Sequence, residues 1–262
     1  MQTREQRLEY GRAKWGGLSP VEVGQIKAKK ALLWVYRWGW STATILEIVG
    51  GAQGSGLSAR LVRRGLLRAT KTEAGAAAGA PVAILTLTQQ GQNEVEKFLE
   101  NDSDLIEYQL DAYRVDQSKI RHNELAQRAT AKNLRDGSIV DYITEQMAAT
   151  KSEKNIKQHD IIWICDNGEK IGIEVELSAK WSRKLDEFVL SCIKSINSKK
   201  VNQIYIATDS KAIQNRYAVA FEVGHIFGKW EKSELGFSKK VGTYKVPDFM
   251  EGVVSCILLD RY

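Results

Sequence analysis

The chain has 262 residues, of which 43% are hydrophobic and 27% charged, proportions of an ordinary globular protein with room for one large or two ordinary domains. The net charge is +6, and residues 1–100 hold all of the excess, with fourteen Lys and Arg against eight Asp and Glu. A basic N-terminal part joined to a neutral remainder suggests a polyanion-binding module attached to something else. No apolar run approaches the roughly 20 residues of a membrane span, so no membrane insertion is expected. The start, MQTREQRLEYGRAKWGG, lacks an apolar signal-peptide core. Cys165, Cys192 and Cys256 are scattered and form no CxxC pair, which argues against zinc and against a disulfide framework. A reducing cytoplasm is the expected location.

Residues 1–18 are polar and basic, with Arg4, Arg7, Arg12 and Lys14, and read as an arm. Ser19-Pro20-Val21-Glu22 is a helix start, and the helix runs to Trp38 before Gly39. A second short helix ends at Val49. A third, over 55–64, carries Leu57, Leu61 and Val62 on one side and Ser58, Arg60, Arg63 and Arg64 on the other. Strands are expected at 66–69 and 82–87, and then a helix from Gln90 to about Leu99, capped by Thr88. This order, with "LVRRGLLRAT" and "VAILTLTQQG", resembles the winged helix-turn-helix family over about eighty residues. The resemblance implies a DNA-binding domain over 19–100, with Ser58, Arg60, Arg63, Arg64 and Arg68 on the nucleic acid. The acidic stretch 101–118 reads as a linker, and a second domain is expected over 119–262.

That second domain opens with a helix from Lys119 to about Leu134 and a strand within 139–147. Its centre is Lys157–Lys180, KQHDIIWICDNGEKIGIEVELSAK. Asp160 to Cys165 is a strand, Asp166-Asn167-Gly168-Glu169 a turn, and Lys170 to Leu177 an alternating strand. Ile171, Ile173, Val175 and Leu177 face one way; Gly172, Glu174 and Glu176 face the other. Folding the hairpin brings Asp160 level with the two glutamates, with Lys180 just past the strand end. Carboxylates gathered in this way suit a hard cation, Mg²⁺ or Mn²⁺. The same alternation also fits a strand whose glutamates merely face solvent. A helix bearing Trp181, Leu185, Phe188, Val189, Cys192, Ile193 and Ile196 at helical spacing follows and is expected to pack on the sheet. Next come a strand over 201–208, a helix to about Ala220, and a final strand at 253–259.

The order helix, strand, acid-bearing hairpin, helix, strand resembles the core of PD-(D/E)XK nucleases, the restriction-endonuclease fold. Asp160 and Glu174-Val175-Glu176 match the motif. The resemblance implies an α/β (α+β) domain that holds Mg²⁺ or Mn²⁺ and cleaves phosphodiesters. His159 stands where the family often has proline, and Glu176 where it usually has lysine. Lys180 either supplies a displaced cation or begins the next helix. Either a metal-bound water or Glu176 itself then generates the nucleophile.

"RHNELAQ" (His122, Asn123, Gln127), "YITE" (Tyr142, Glu145), Asp160 and "GIEVELSAKWSRK" together resemble the replication-relaxation family and the C-family relaxases that mobilise plasmids and genomic islands. This similarity implies nicking of one strand at an origin of transfer, within an assembly of a coupling protein and accessory relaxosome proteins. The DNA would be double-stranded before the nick and single-stranded after it. It adds Glu145 to Asp160, Glu174 and Glu176 as metal-binding acids, and His122, Gln127 and His159 as residues that line the site. His122 also suits a core or capping role. The chain has only His122, His159 and His225, too few and too dispersed for a histidine-bound metal beside a nucleophilic tyrosine. Two alternatives remain open: a non-catalytic DNA-binding regulator of replication or transcription on a degenerate nuclease fold, and a restriction-type nuclease making double-strand cuts.

Overall fold

The structure is a computed structural model that describes residues 16–51, 54, 56–75, 77–99, 105–149, 158–232 and 237–259. The expected basic arm lies outside the described residues except for 16–18. The fold is mixed α and β, and the chain divides into two compact units between Asp136 and Gly137.

In the first unit, helix α1 spans Pro20–Trp38. Ser19 and Glu22 form a reciprocal capping box, and Gly39 closes the helix in the left-handed conformation at φ 79°. Helix α2 is Ala43–Val49, capped by Thr42, and α3 is Leu57–Arg63. Strands β1 (Leu67–Lys71) and β2 (Ala83–Leu87) pair antiparallel, from Leu67 opposite Leu87 to Lys71 opposite Ala83. Helix α4, Gln89–Glu96, starts from a Thr88 cap. Leu32, Val35, Ile45, Leu46, Leu57, Leu61, Ile84 and Leu87 are all buried.

The chain takes α4 across the start of the hairpin at close range. A Cβ built on Gly91 would lie 2.0 Å from the carbonyl oxygen of Leu66, a backbone atom that also accepts a hydrogen bond from the Thr88 amide. Gly91→Ala is therefore expected to destabilise the protein by at least about 1–3 kcal/mol, the usual cost of overpacking. Urea unfolding of the full chain followed by tryptophan fluorescence measures it, and an unchanged midpoint would refute the close contact.

The expected linker and domain boundary need correction. Of the 101–118 linker, residues 101–104 lie outside the described residues, but the rest is bound into the first unit. The Tyr108 hydroxyl donates to the Gly39 carbonyl and accepts from the Leu87 amide, and its ring stacks on Tyr36 at 5.8 Å. Tyr36 in turn exchanges hydrogen bonds with both backbone groups of Ile106. Helix α5, Ile120–Asp136, was expected to open the second domain and instead belongs to the first unit. Its Gln127 is fully buried; the side chain accepts from the Trp34 indole at 2.9 Å and donates to the Trp40 carbonyl at 3.0 Å. Burial of an amide needs such partners, and these two lie on and just beyond α1.

The second unit is built on a five-stranded sheet, with β3 (Asp141–Thr144), β4 (Ile161–Ile164), β5 (Lys170–Val175), β6 (Gln203–Thr208) and β9 (Val254–Leu258) side by side in that order. The first three form an antiparallel meander, while β6 and β9 join parallel to β5. Helix α7 (Arg183–Asn197) connects β5 to β6, and α8 (Lys211–Ala220) follows β6. Phe188, Val189, Cys192, Ile213 and Tyr217 from these helices pack with Ile162, Ile204 and Ile206 of the sheet.

Two elements differ from expectation. The strand expected over 139–147 ends at Thr144, whose hydroxyl accepts the Met147 amide and starts helix α6, Glu145–Ala149. An antiparallel ribbon of β7 (Ile226–Lys232) and β8 (Ser238–Lys245) has no counterpart in the sequence reading. Almost every residue of β8 is exposed, so the strand carries no apolar alternation to reveal it.

Candidate active site

The strand register assembles the acids. Ile161 pairs with Ile173, so Asp160 and Glu174 are the next residues along the same ladder. Thr144 pairs with Ile161, so Glu145 is the next residue on the other side of Asp160. Three acids thus reach the same end of three adjacent strands. The Asp160 carboxylate accepts the backbone N–H of Val175 at 2.8 Å, which ties the start of β4 to β5 beside Glu174.

The glutamate face is not the solvent face. Gly172 pairs with Ile162 and Ile204, and Glu174 with Ile206, all on the side that α7 and α8 cover. Glu174 and Glu176 are 2% and 7% exposed, and Ile173 and Val175 on the opposite face are buried as well. This strand alternates in sequence although both of its faces are buried, so its alternation does not identify a wet side.

A buried carboxylate must be compensated. For Glu174 the partner is His159, whose Nδ1 lies 2.7 Å from its Oε1. The other ring nitrogen, Nε2, lies 2.8 Å from the hydroxyl of Ser195 on α7. All three residues are buried, so the chain of hydrogen bonds running from strand to helix is sealed from solvent. The imidazole lies flat over Gly172, where a Cβ would come within 2.7 Å of the ring. His159, expected to line the site, instead forms its wall and fixes the orientation of Glu174.

Glu176 has a separate environment. It forms an ion pair with Lys180 and accepts the Tyr217 hydroxyl at 3.1 Å. Burial, and then the Glu176 carboxylate, push the Tyr217 phenol far above its ordinary pKa, so the hydroxyl stays protonated and donates. Lys180 also lies over the Phe188 ring, 4.5 Å from its centroid. Lys180 thus returns to the strand end instead of starting α7, which begins at Arg183.

The remaining candidates are dispersed. Glu145 is exposed in the first turn of α6, with its carbonyl accepting from the Gln158 side chain. Gln127 is committed inside the first unit as described, which removes it from the residues available to line a site. His122, on the same helix, lies 2.8 Å through Nδ1 from the Asn123 side chain. Among the described residues, no three His, Cys, Asp or Glu side chains converge closely enough to hold a metal ion. The four-acid set is therefore not assembled: register aligns Asp160 and Glu174, while Glu176 turns to Lys180 and Tyr217. In the first unit, Arg60, Arg63, Arg64 and Arg68 are exposed. Ser58, expected beside them, is 7% exposed, because it shares the inward stripe of α3 with Leu57 and Leu61.

Sequence reading missed Ser195 and Tyr217. Ser195 left a signal, a polar residue three positions beyond Cys192 on the apolar stripe of its helix, where burial demands a partner. Trp181 was expected to pack on the sheet; it is 64% exposed, since α7 starts two residues later and the indole is not on its inward face. Compared with protein-family models, curated proteins and solved structures, the chain matches none of them.

Proposed function

We propose that this protein is a metal-dependent endonuclease that nicks one DNA strand at an origin of transfer, a relaxase for mobilising a plasmid or genomic element. The observation that carries the reading is the strand register, which sets Asp160 level with Glu174 at one end of a β-meander, where β3 also ends just before Glu145. A helix and a parallel strand follow that meander, the order found in PD-(D/E)XK nucleases. In the first unit, three helices, a hairpin and a closing helix, with four exposed arginines, support a winged-helix module that binds duplex DNA.

Asp160 and Glu174 have the donor chemistry for a hard cation, Mg²⁺ or Mn²⁺, and they are the residues that would hold it. Bound there, the cation would supply charge stabilisation on the phosphate and a more acidic water. Glu176 and Glu145 do not complete a convergent set with them among the described residues. The contribution of the chain itself is positional. His159 orients Glu174, the Val175 amide holds Asp160, and Lys180, kept at the strand end by Glu176, provides the cation that the family carries at the Glu176 position. Tyr217 keeps its proton and is buried, so it serves as a hydrogen-bond donor to Glu176, not as a nucleophile.

A second reading, a non-catalytic DNA-binding regulator on the same fold, draws on the engagement of Glu174 by His159 and of Glu176 by Lys180 and Tyr217. A supercoiled plasmid carrying the cognate transfer origin separates the readings. Relaxation with Mg²⁺ and none with EDTA is the expected result. Binding without relaxation supports the regulator, and a linear product supports a restriction-type nuclease.

A further inference from the structure

We propose that Trp181, backed by Arg216, is a stacking platform for a nucleobase of single-stranded DNA at the edge of the candidate active site. The proposal names the ligand class for that edge and rests on the nuclease reading for its place beside Glu176 and Lys180. Trp181 is among the most exposed large hydrophobic residues described, at 64%. One face of its indole is covered, with the Arg216 guanidinium carbon 3.1 Å from the ring centroid. Arg216 is itself anchored, donating through Nη1 to the Lys180 carbonyl at 3.2 Å. The indole is thus held in place from one side only.

The backbone reinforces this arrangement. Ser182, the next residue, has φ 45° and ψ −126° and makes no side-chain cap for α7. A non-glycine residue held in that region is strained, and strain of this kind gathers at ligand-binding positions. Arg216 also borders a cleft of about 470 Å³ lined by Leu185, Asn215, Val219 and His225.

Cations near the indole suit a phosphate backbone. Lys180, Arg183, Lys184 and Arg216 lie in the same stretch and on its neighbouring helix. Of these cations Lys180 pairs with Glu176 and Arg183 with Glu187, and Asp186 accepts the Trp230 indole at 2.8 Å, so Lys184 and Arg216 are the ones not paired to a carboxylate among the described residues. An aromatic face flanked by cations is the usual design for holding a base while the backbone is neutralised.

The test uses the full chain in EDTA, so that no cleavage enters. Binding is measured by anisotropy to an oligothymidylate of about 12 nucleotides and to an abasic strand of the same length, which keeps the phosphates and lacks the bases. Wild type is expected to prefer the thymidylate. Trp181→Ala should weaken thymidylate binding about 5- to 150-fold and leave abasic binding unchanged, while Trp181→Phe retains most of the preference. Equal binding of both strands by wild type overturns the proposal in favour of a protein-facing indole. Equal losses on both strands in Trp181→Ala overturn it as well. A base preference that depends on Trp181 stands even if the plasmid is never nicked. Nicking without that preference removes the platform and leaves the nuclease reading intact.

Discussion

Glu174→Gln and Asp160→Asn are each expected to lower Mg²⁺-dependent relaxation of the cognate plasmid on the order of 10³-fold, while duplex binding stays within a few-fold of wild type. The size follows from the several kcal/mol of charge stabilisation that a carboxylate-held cation supplies, at about 1.4 kcal/mol per tenfold in rate. The amide substitutions are chosen because both acids are structural as well. Glutamine at 174 can still accept from His159 Nδ1, and asparagine at 160 can still accept the Val175 amide, so the local hydrogen bonds survive and the negative charge is lost. Alanine at 174 would instead strand a buried imidazole and confuse unfolding with loss of chemistry. The arginines proposed to bind duplex, Arg60, Arg63, Arg64 and Arg68, lie in the other unit, so duplex binding serves as the internal control. Full relaxation activity in both variants would sink the nuclease assignment. Loss of activity together with loss of duplex binding would point to a folding defect, which urea unfolding identifies directly.

What the sequence made legible is local. The Ser19–Glu22 capping box, the Thr88 cap, the Asn167-Gly168 turn and the helix end at Gly39 are short-range signals, and each marks a boundary close to the observed one. The hairpin register followed from turn position and alternation, and it aligned Asp160 with Glu174 as expected. What stayed hidden depends on contacts distant in sequence. That the glutamate face lies under α7 and α8 is a property of packing, and the strand alternates identically in either case. That α5 belongs to the first unit rests on Gln127 meeting Trp34 and Trp40 some ninety residues earlier. The same holds for His159, which reads as a departure from a family motif and acts as the wall of the site. Lys180 is the exception, since its partner Glu176 lies only four residues before it and sequence still left its two possible roles open.

The pairing of His159 with Gly172 predicts a substitution whose sign depends on its background. Gly172→Ala is expected to destabilise the wild-type protein by about 3–5 kcal/mol in urea unfolding. The added Cβ would sit 2.7 Å from Nδ1 and 2.8 Å from Cε1 and Cγ of the imidazole. The ring cannot tilt away without cost, because Glu174 and Ser195 hold its two nitrogens at 2.7 and 2.8 Å. Overpacking by one methyl group alone costs about 1–3 kcal/mol. Displacing the ring raises this to the cost of a buried carboxylate that has lost its partner, about 3–5 kcal/mol. His159→Ala removes the ring and should itself destabilise by a similar amount, since Glu174 loses that partner. In that background the methyl group at 172 meets no imidazole. Alanine then replaces a glycine in a strand interior, which by itself stabilises by about 0.5–1 kcal/mol. The same substitution is therefore harmful with His159 present and mildly beneficial without it. Additive effects of the two substitutions would show that the ring does not lie over Gly172, and would remove the physical basis for assigning His159 the orientation of Glu174.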